Sequence, residues 1–235
     1  MTKCLFFIFV LASFDLFSQI SLGGFGQTGN ERFQRTSGER YLMNSSIKTN
    51  LGFGIEFDIH RENKGLWRTT ISKTKVDVFY EIEQFSLNSS FAKSGNHSFY
   101  RYVFTIEHLW RINENKRLQL LLGPGLGVSY LDMISSRGEG FDTKLIEYVT
   151  VSGDTILAPG PVYYSFNSRN SDALYHGSIQ VNLTLQIKYE LRNHISLLLN
   201  STGLFGVSPI IRDERLESTA NVGWLMGIGL LFEID

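Results

Sequence analysis

The chain has 235 residues and a formal net charge of −1, with 43% hydrophobic and 19% charged residues. A near-neutral chain lacks the basic excess that electrostatic binding of nucleic acid requires, so we expect no nucleic-acid partner. The single cysteine, Cys4, lies near the N-terminus and leaves the rest of the chain without an internal disulfide. Such a composition suits a soluble protein and a membrane β-barrel equally, and the order of the residues must distinguish them.

The first 19 residues have the pattern of an export signal. Lys3 supplies a positive start, residues 5–12 form an uninterrupted apolar run, and Ser18 and Gln19 offer a cleavage zone. The apolar run is too short to cross a bilayer as a helix. We therefore predict a signal peptide over residues 1–19 and a mature domain over residues 20–235.

Alternation of apolar and polar side chains organises the rest of the chain. From Ser178 to Leu191 every odd position is apolar and every even position is polar. Successive side chains of a strand point to opposite faces, so this pattern predicts a strand with one apolar face. Similar stretches predict eight strands, over residues 20–28, 47–60, 66–84, 99–112, 118–132, 178–191, 195–207 and 221–234. The apolar phase changes within residues 66–84, which predicts a bulge near residues 72–74.

The predicted connections alternate between short and long. Residues 61–65, 113–117 and 192–194 are short and polar, whereas residues 29–46, 85–98, 133–174 and 208–220 are long. Within 133–174 we predict a hairpin with arms at 145–151 and 155–166. The alternation is typical of an outer-membrane barrel, with short periplasmic turns and long outer loops. The predicted fold is all-β, an eight-stranded antiparallel up-and-down transmembrane β-barrel.

Aromatic residues gather at both ends of the predicted strands, where amphipathic rings settle at the lipid–water interfaces. The girdle nearest the short turns consists of Phe57, Trp67, Trp110, Tyr189 and Phe232. The opposite girdle consists of Tyr80, Tyr100, Tyr102, Tyr130 and Trp224.

Glycine indicates which face of the strands points outward. A soluble lipocalin-like barrel also has eight strands, but its apolar face points inward. Here the polar faces of three strands carry Gly52, Gly54, Gly123, Gly125, Gly127, Gly223, Gly227 and Gly229. Glycine weakens a strand and has little reason to line a solvated exterior, whereas a narrow eight-stranded lumen has little room for side chains. We therefore expect the polar face inside and the apolar face toward lipid.

On this architecture the chain resembles the small eight-stranded outer-membrane barrels, the OmpA-like and PorT-like group. The closing run Trp224-x-Met226-x-Ile228-x-Leu230-x-Phe232 resembles the C-terminal signal read by the barrel-assembly machinery, although Glu233, Ile234 and Asp235 follow the aromatic residue. The resemblance implies export to the bacterial outer membrane. It also implies outer-membrane lipid, lipopolysaccharide and the assembly machinery as partners, with no cofactor. There is no room for a peptidoglycan-binding domain, so a tethering role is not expected.

The predicted lumen face carries many charges: Glu56, Asp58, Lys75, Asp77, Glu81, Glu83, Arg101, Glu107, Arg111, Lys188 and Glu190. We predict that Glu56, Asp58, Arg101, Glu107, Arg111, Lys188 and Glu190 form an ion-pair network that closes the barrel, because an unpaired buried charge costs several kcal/mol. The alternative is a narrow ion path along the same charges.

A catalytic alternative rests on His176 and Ser178, with Glu190 downstream, since this spacing resembles the His-x-Ser pair of lipid A deacylases. Glu190 lies about 46 Å from His176 on an unbroken strand at 3.3 Å per residue, which is too far for a catalytic triad. The remaining histidines lack metal-ligand spacing. We therefore expect no catalytic, cofactor or metal site. The expected role is structural or surface-binding, through long outer loops that bind an unknown ligand or protein.

Overall fold

The structure is a computed structural model that describes residues 18–35, 42–61, 65–85, 90–113, 115, 117–168, 177–208 and 219–234. The predicted signal peptide lies outside these residues except for its last two, which begin the first strand. Within the described residues no helix has the length and apolar character needed to cross a membrane.

Nine strands account for nearly all described residues. They are β1 (Ser18–Arg35), β2 (Leu42–Arg61), β3 (Gly65–Phe85), β4 (Ser90–Arg111), β5 (Leu118–Val149), β6 (Thr155–Ser168), β7 (Gly177–Arg192), β8 (Ile195–Gly206) and β9 (Thr219–Ile234).

Eight of these strands close a barrel. Each of them pairs antiparallel with the next, β5 pairs with both β4 and β7, and the pairing of β1 with β9 completes the circle. The remaining strand, β6, lies outside this circle, and in the described residues it pairs with the distal part of β5. The predicted antiparallel up-and-down barrel is confirmed, and the predicted hairpin at 145–166 is present as the end of β5 and the start of β6.

The barrel wall is apolar outside and polar inside across its membrane segment. On β7 the inward residues Thr184 and Gln186 are fully buried, whereas their neighbours Leu183 and Leu185 are exposed. The other strands continue this exposed band with residues such as Phe53, Phe104, Leu126, Met226 and Ile228. So continuous an apolar surface is suited to lipid rather than to water, as in the bacterial outer-membrane barrels.

Strands extend into three of the predicted long loops beyond any strand predicted there, so the predicted strand ends were wrong. The β4–β5 ladder continues to the pair Phe91–Asp142, far beyond the predicted strand ends. The β1–β9 ladder likewise continues to Arg35. Polar residues and glycines in these stretches suggested loops. A strand persists wherever a neighbouring strand offers a complete hydrogen-bonding partner, and such context overrides local β-propensity.

The predicted bulge at residues 72–74 was also wrong. The β3–β4 register runs unbroken from Leu66 to Phe85. The irregularity lies on β2 instead, where Thr49 pairs with Val76 and Gly52 pairs with Thr74. Two residues of β2 therefore face one residue of β3, which is the arrangement of a bulge.

The phase change within β3 reflects a change of surroundings. Trp67 and Ile71 point outward and are apolar, whereas Val76 and Val78 point inward on the same unbroken strand. This change is expected where the strand passes from lipid into water. The apolar side chains therefore move from the outer face to the inner face as the strand leaves the bilayer.

An upper core fills the barrel above the bilayer. It consists of Ile47, Val76, Val78, Tyr80, Phe91, Phe99 and Leu131. A smaller lower core of Leu66, Leu109 and Leu121 lies at the short-turn end. Tyr80 was predicted to belong to the aromatic girdle, and this prediction was wrong because its ring is buried inside this upper core.

The same change of surroundings corrects four predicted lumen charges, Lys75, Asp77, Glu81 and Glu83. Their alternation with inward apolar residues places them on the outer, solvated face, where none is buried. The other nine predicted girdle residues lie on the outward face. Trp67, Trp110, Tyr189, Phe232, Tyr102, Tyr130 and Trp224 are exposed, and Phe57 and Tyr100 are half-buried.

Candidate functional site

Arg68 is the centre of a lower ion cluster formed by Glu56, Asp58, Arg68 and Glu107. Its guanidinium on β3 donates to Glu107 Oε2 on β4 through Nε at 2.7 Å and also through Nη2. Nη1 lies 4.0 Å from Glu56 Oε2, and Asp58 stands opposite Arg68 in the β2–β3 register. Thr184 donates to Glu107 Oε1 at 2.8 Å. All four charged side chains are buried, so water screens their interactions little.

A second ion pair lies near the short-turn end of the lumen. Lys188 on β7 donates to Glu233 Oε1 on β9 at 2.6 Å, across the intervening strand β8. The Lys188 side chain is buried, whereas Glu233 is partly exposed. This pair ties together two strands that share no backbone hydrogen bonds.

A third ion pair crosses the barrel nearer its outer end. Arg101 on β4 binds both carboxylate oxygens of Glu31 on β1 through its two terminal nitrogens. Thr49 donates to Glu31 Oε1 at 2.9 Å, and Asn221 donates to Glu31 Oε2 at 2.6 Å. Glu31 therefore accepts from three other strands, and a bidentate pair of this kind fixes geometry as well as charge.

The structure places five of the seven predicted network residues inside the barrel: Glu56, Asp58, Arg101, Glu107 and Lys188. Arg111 and Glu190 are not part of the network. Arg111 is exposed beyond the lower core and donates to the Asn115 carbonyl in the turn at 2.7 Å. Glu190 is half-buried at the end of β7, and the partner of Lys188 is Glu233 rather than Glu190. Both residues alternate in phase with the inward residues of their strands. The strands end at these positions, however, and the two side chains are accessible to water.

Sequence reasoning missed three charged partners: Glu31, Arg68 and Glu233. Glu31 fell within a predicted loop that is in fact strand β1. Arg68 alternates with the outward residues Trp67 and Thr69, and this parity was the signal that could have placed it inside. Glu233 alternates with the outward residues Phe232 and Ile234, but its partner Lys188 lies two strands away and no sequence spacing relates the two residues.

A small cavity lies inside the barrel between the lower ion cluster and the Arg101–Glu31 pair. It measures about 50 Å³ and is lined by residues that include Gln27, Arg68, Arg101, Glu107 and Asn182. Such a volume holds a few water molecules. The upper and lower cores lie at the two ends of this interior.

A stack of three rings covers the outer mouth of the lumen. His97 lies between Tyr80, with centroids 5.0 Å apart, and Phe166, at 6.3 Å. The Lys93 ammonium lies over the rings of Tyr80 and Phe166. Gly95 and Gly138 make room for this stack, because a Cβ at either position would collide with the Tyr80 or the Phe166 ring.

Acid is expected to destabilise this ring stack. Burial, and to a lesser degree the nearby Lys93 ammonium, lowers the pKa of His97 to about 4. Below about pH 6.5 the unfolded chain therefore binds a proton at His97 that the folded chain does not bind. The free energy of unfolding should fall by about 2 kcal/mol between pH 8 and pH 5. Urea unfolding in lipid vesicles at pH 8 and pH 5 measures the loss. His97→Phe should remove this part of it, and an unchanged pH dependence in that variant would contradict the assignment.

The catalytic constellation considered from sequence is not assembled. Ser178 is buried on the inward face, where its hydroxyl lies 2.6 Å from that of Ser129. Glu190 lies twelve residues further along the unbroken strand β7, about 40 Å away at 3.3 Å per residue. His176 lies outside the described residues. In the part of the chain that is described, no three His, Cys, Asp or Glu side chains converge as a metal site would require.

Comparisons with known proteins return outer-membrane barrels of low sequence identity. No protein-family model matches the sequence, and no curated protein matches it. Among solved structures, OprG of Pseudomonas aeruginosa is 12% identical with a TM-score of 0.42, covering 92% of this chain and 95% of that one. Neisserial surface protein A is 8% identical with a TM-score of 0.41, covering 92% and 97%. Ail of Yersinia pestis, solved with a heparin analogue, is 14% identical with a TM-score of 0.38, covering 92% and 100%.

Proposed function

We propose that the protein is a non-conducting barrel of the outer membrane that binds a partner at the cell surface. The extension of the barrel beyond the bilayer carries this proposal. Strand β4 has 22 residues, which at about 3.3 Å per residue and a tilt of about 45° rise about 50 Å, twice the height of a lipid-facing band. A barrel that served only as a membrane anchor would not require this extension.

The distal hairpin of β5 and β6 offers a surface for such a partner. Its turn is closed by backbone hydrogen bonds between Thr150 and both Gly153 and Asp154. Around the turn Val149, Val151 and Leu157 are more than half exposed. Exposed apolar side chains on a rigid support outside the bilayer are typical of protein-binding surfaces. The strand β9 that closes the barrel is the segment that we propose the assembly machinery reads.

Cysteine labelling of intact cells tests the orientation. With Cys4 changed to serine, Val151→Cys at the hairpin tip should react with a membrane-impermeant maleimide on whole cells. Asn193→Cys, in the short turn between β7 and β8, should react only after the outer membrane is permeabilised. The reverse pattern, or recovery of the protein in the soluble periplasm, would refute the surface role.

The purified barrel is expected not to conduct. Eight strands enclose an interior just wide enough for side chains to fill, and the cavity beside Arg68 and Arg101 measures about 50 Å³. Planar-bilayer recordings should show no stable unit conductance, with a wide porin reconstituted in the same way as the positive control. Reproducible channel steps from the unmodified protein would favour the narrow-pore alternative instead.

A further inference from the structure

A groove lies on the outer face of the extracellular sheet formed by the distal parts of β3, β4, β5 and β6. Its floor consists of the small residues Ala92 and Ser94 on β4. Glu81 and Glu83 on β3 form one wall. The pairings that place these residues side by side are Glu81 with Ser94 and Glu83 with Ala92.

The opposite wall of the groove contains a third carboxylate and two rings. Ser94 pairs with Glu139, and Ala92 pairs with Phe141, which pairs in turn with Tyr163 on β6. Glu139 and Phe141 on β5 lie two strand spacings from β3, about 10 Å, and Tyr163 on β6 lies one spacing further. The groove has a volume of about 640 Å³, within the range of about 300–1,000 Å³ that is usual for small-ligand sites.

The charge of the groove favours a cationic ligand. Its lining holds the carboxylates of Glu81, Glu83 and Glu139, and among the described lining residues the one cationic side chain is that of Lys93. The Lys93 ammonium is turned to the other face of the sheet, 5.9 Å from the Tyr80 ring centroid and 5.6 Å from that of Phe166. Among the described lining residues, the outer face of the groove therefore presents three carboxylates and no cationic group.

The two rings of the wall indicate an organic cation rather than a metal ion. The Phe141 and Tyr163 centroids lie 5.9 Å apart with the rings tilted, and Tyr163 is 76% exposed. Exposed aromatic faces attract ammonium groups and cover aliphatic carbon. A hard metal ion needs several oxygen ligands that converge on one point, and these carboxylates stand on opposite walls.

From this geometry we infer that the groove binds a small aliphatic polyamine. Glu81 and Glu83 are two residues apart on one face of β3, about 7 Å along the strand. Two ammonium groups joined by a short carbon chain match that spacing. The carbon chain then faces Phe141 across the groove, and Tyr163 packs behind the Phe141 ring. This inference names a ligand class for the proposed surface role and rests on that role for its access to the outside of the cell.

Titration calorimetry on the purified full-length barrel in lipid nanodiscs, with spermidine as the probe, tests the inference. Glu81→Gln with Glu83→Gln should weaken spermidine binding about tenfold, since each lost contact is partly solvated. Tyr163→Ala should weaken it severalfold, and Tyr163→Phe should not. Glu147→Gln removes an exposed glutamate of the hairpin that is outside the groove, so this matched control should leave the affinity unchanged.

Several outcomes would overturn the inference. No heat from spermidine, or equal affinity in the Glu81→Gln, Glu83→Gln and Glu147→Gln variants, would show that the groove is not its site. Tighter binding of the peptide Lys-Gly-Lys than of spermidine would assign the groove to basic peptides. Competition by Mg²⁺ at equal concentration would assign it to metal ions. Because purified protein is used, these results are independent of the labelling of Val151→Cys on cells, which tests the surface role alone.

Discussion

Replacing Arg68 with leucine is expected to cost about 3–5 kcal/mol of folding free energy, because it leaves buried carboxylates without their cation. Glu107 would lose both hydrogen bonds that Arg68 donates, and Glu56 would lose its nearest guanidinium. Both oxygens of Asp58 are buried without a hydrogen-bond donor among the described residues. The compensating charge of Arg68 therefore matters to three carboxylates at once.

Reversible urea unfolding in lipid vesicles measures the effect of Arg68→Leu. Arg111→Leu is the matched control, since that arginine is exposed and binds only the turn carbonyl of Asn115 in the hydrogen bonds observed. Arg111→Leu should change the free energy of unfolding by no more than about 0.5 kcal/mol. Adding Glu107→Gln to Arg68→Leu should recover part of the loss, since the two side chains act as one unit. Equal costs for Arg68→Leu and Arg111→Leu would contradict the placement of the cluster.

Replacing Leu183 with arginine is expected to cost about 2–4 kcal/mol, the penalty for a charge facing lipid near the bilayer midplane. Leu183 lies on the outward face of β7 and is half exposed, beside the fully buried Thr184. The lost free energy is that of placing a guanidinium in hydrocarbon, where no water solvates it. The same unfolding measurement in vesicles reports the cost.

Phe79→Arg provides the control for Leu183→Arg. Phe79 is also an outward, exposed apolar residue, but it lies on β3 above the bilayer, where the outer face meets water. Its replacement should therefore change stability by less than about 0.5 kcal/mol. Comparable costs at the two positions would mean that the boundary between lipid and water has been placed wrongly along the strands.

The two pairs of variants probe one property of this barrel, which is that its inside changes character with height. Within the bilayer the interior is polar, because the apolar side chains gain by facing lipid. Above the bilayer Val76, Val78 and Tyr80 lie inside, as in a soluble β protein, because water is now outside. This upper core lies beneath the strands that carry the outer groove.

The sequence alone determined the barrel class, the strand order and the direction of the lipid face. Period-two alternation is a local property, and every membrane strand must show it because lipid lies on one side and a filled lumen on the other. The polar character of most inward positions also followed from sequence, through the charges on that face.

Only the tertiary structure decided which charges meet and where the strands end. Lys188 binds Glu233 across β8, and Arg101 binds Glu31 across the barrel, because strand tilt and register bring together residues that no sequence spacing relates. The strands continue beyond the residues that alternate between apolar and polar, because a neighbouring strand supplies the backbone hydrogen bonds. The outer position of Glu81 and Glu83 also depends on that continuation. The shift of apolar residues from one face of β3 to the other was visible in the sequence, but its cause, the passage from lipid to water, was not.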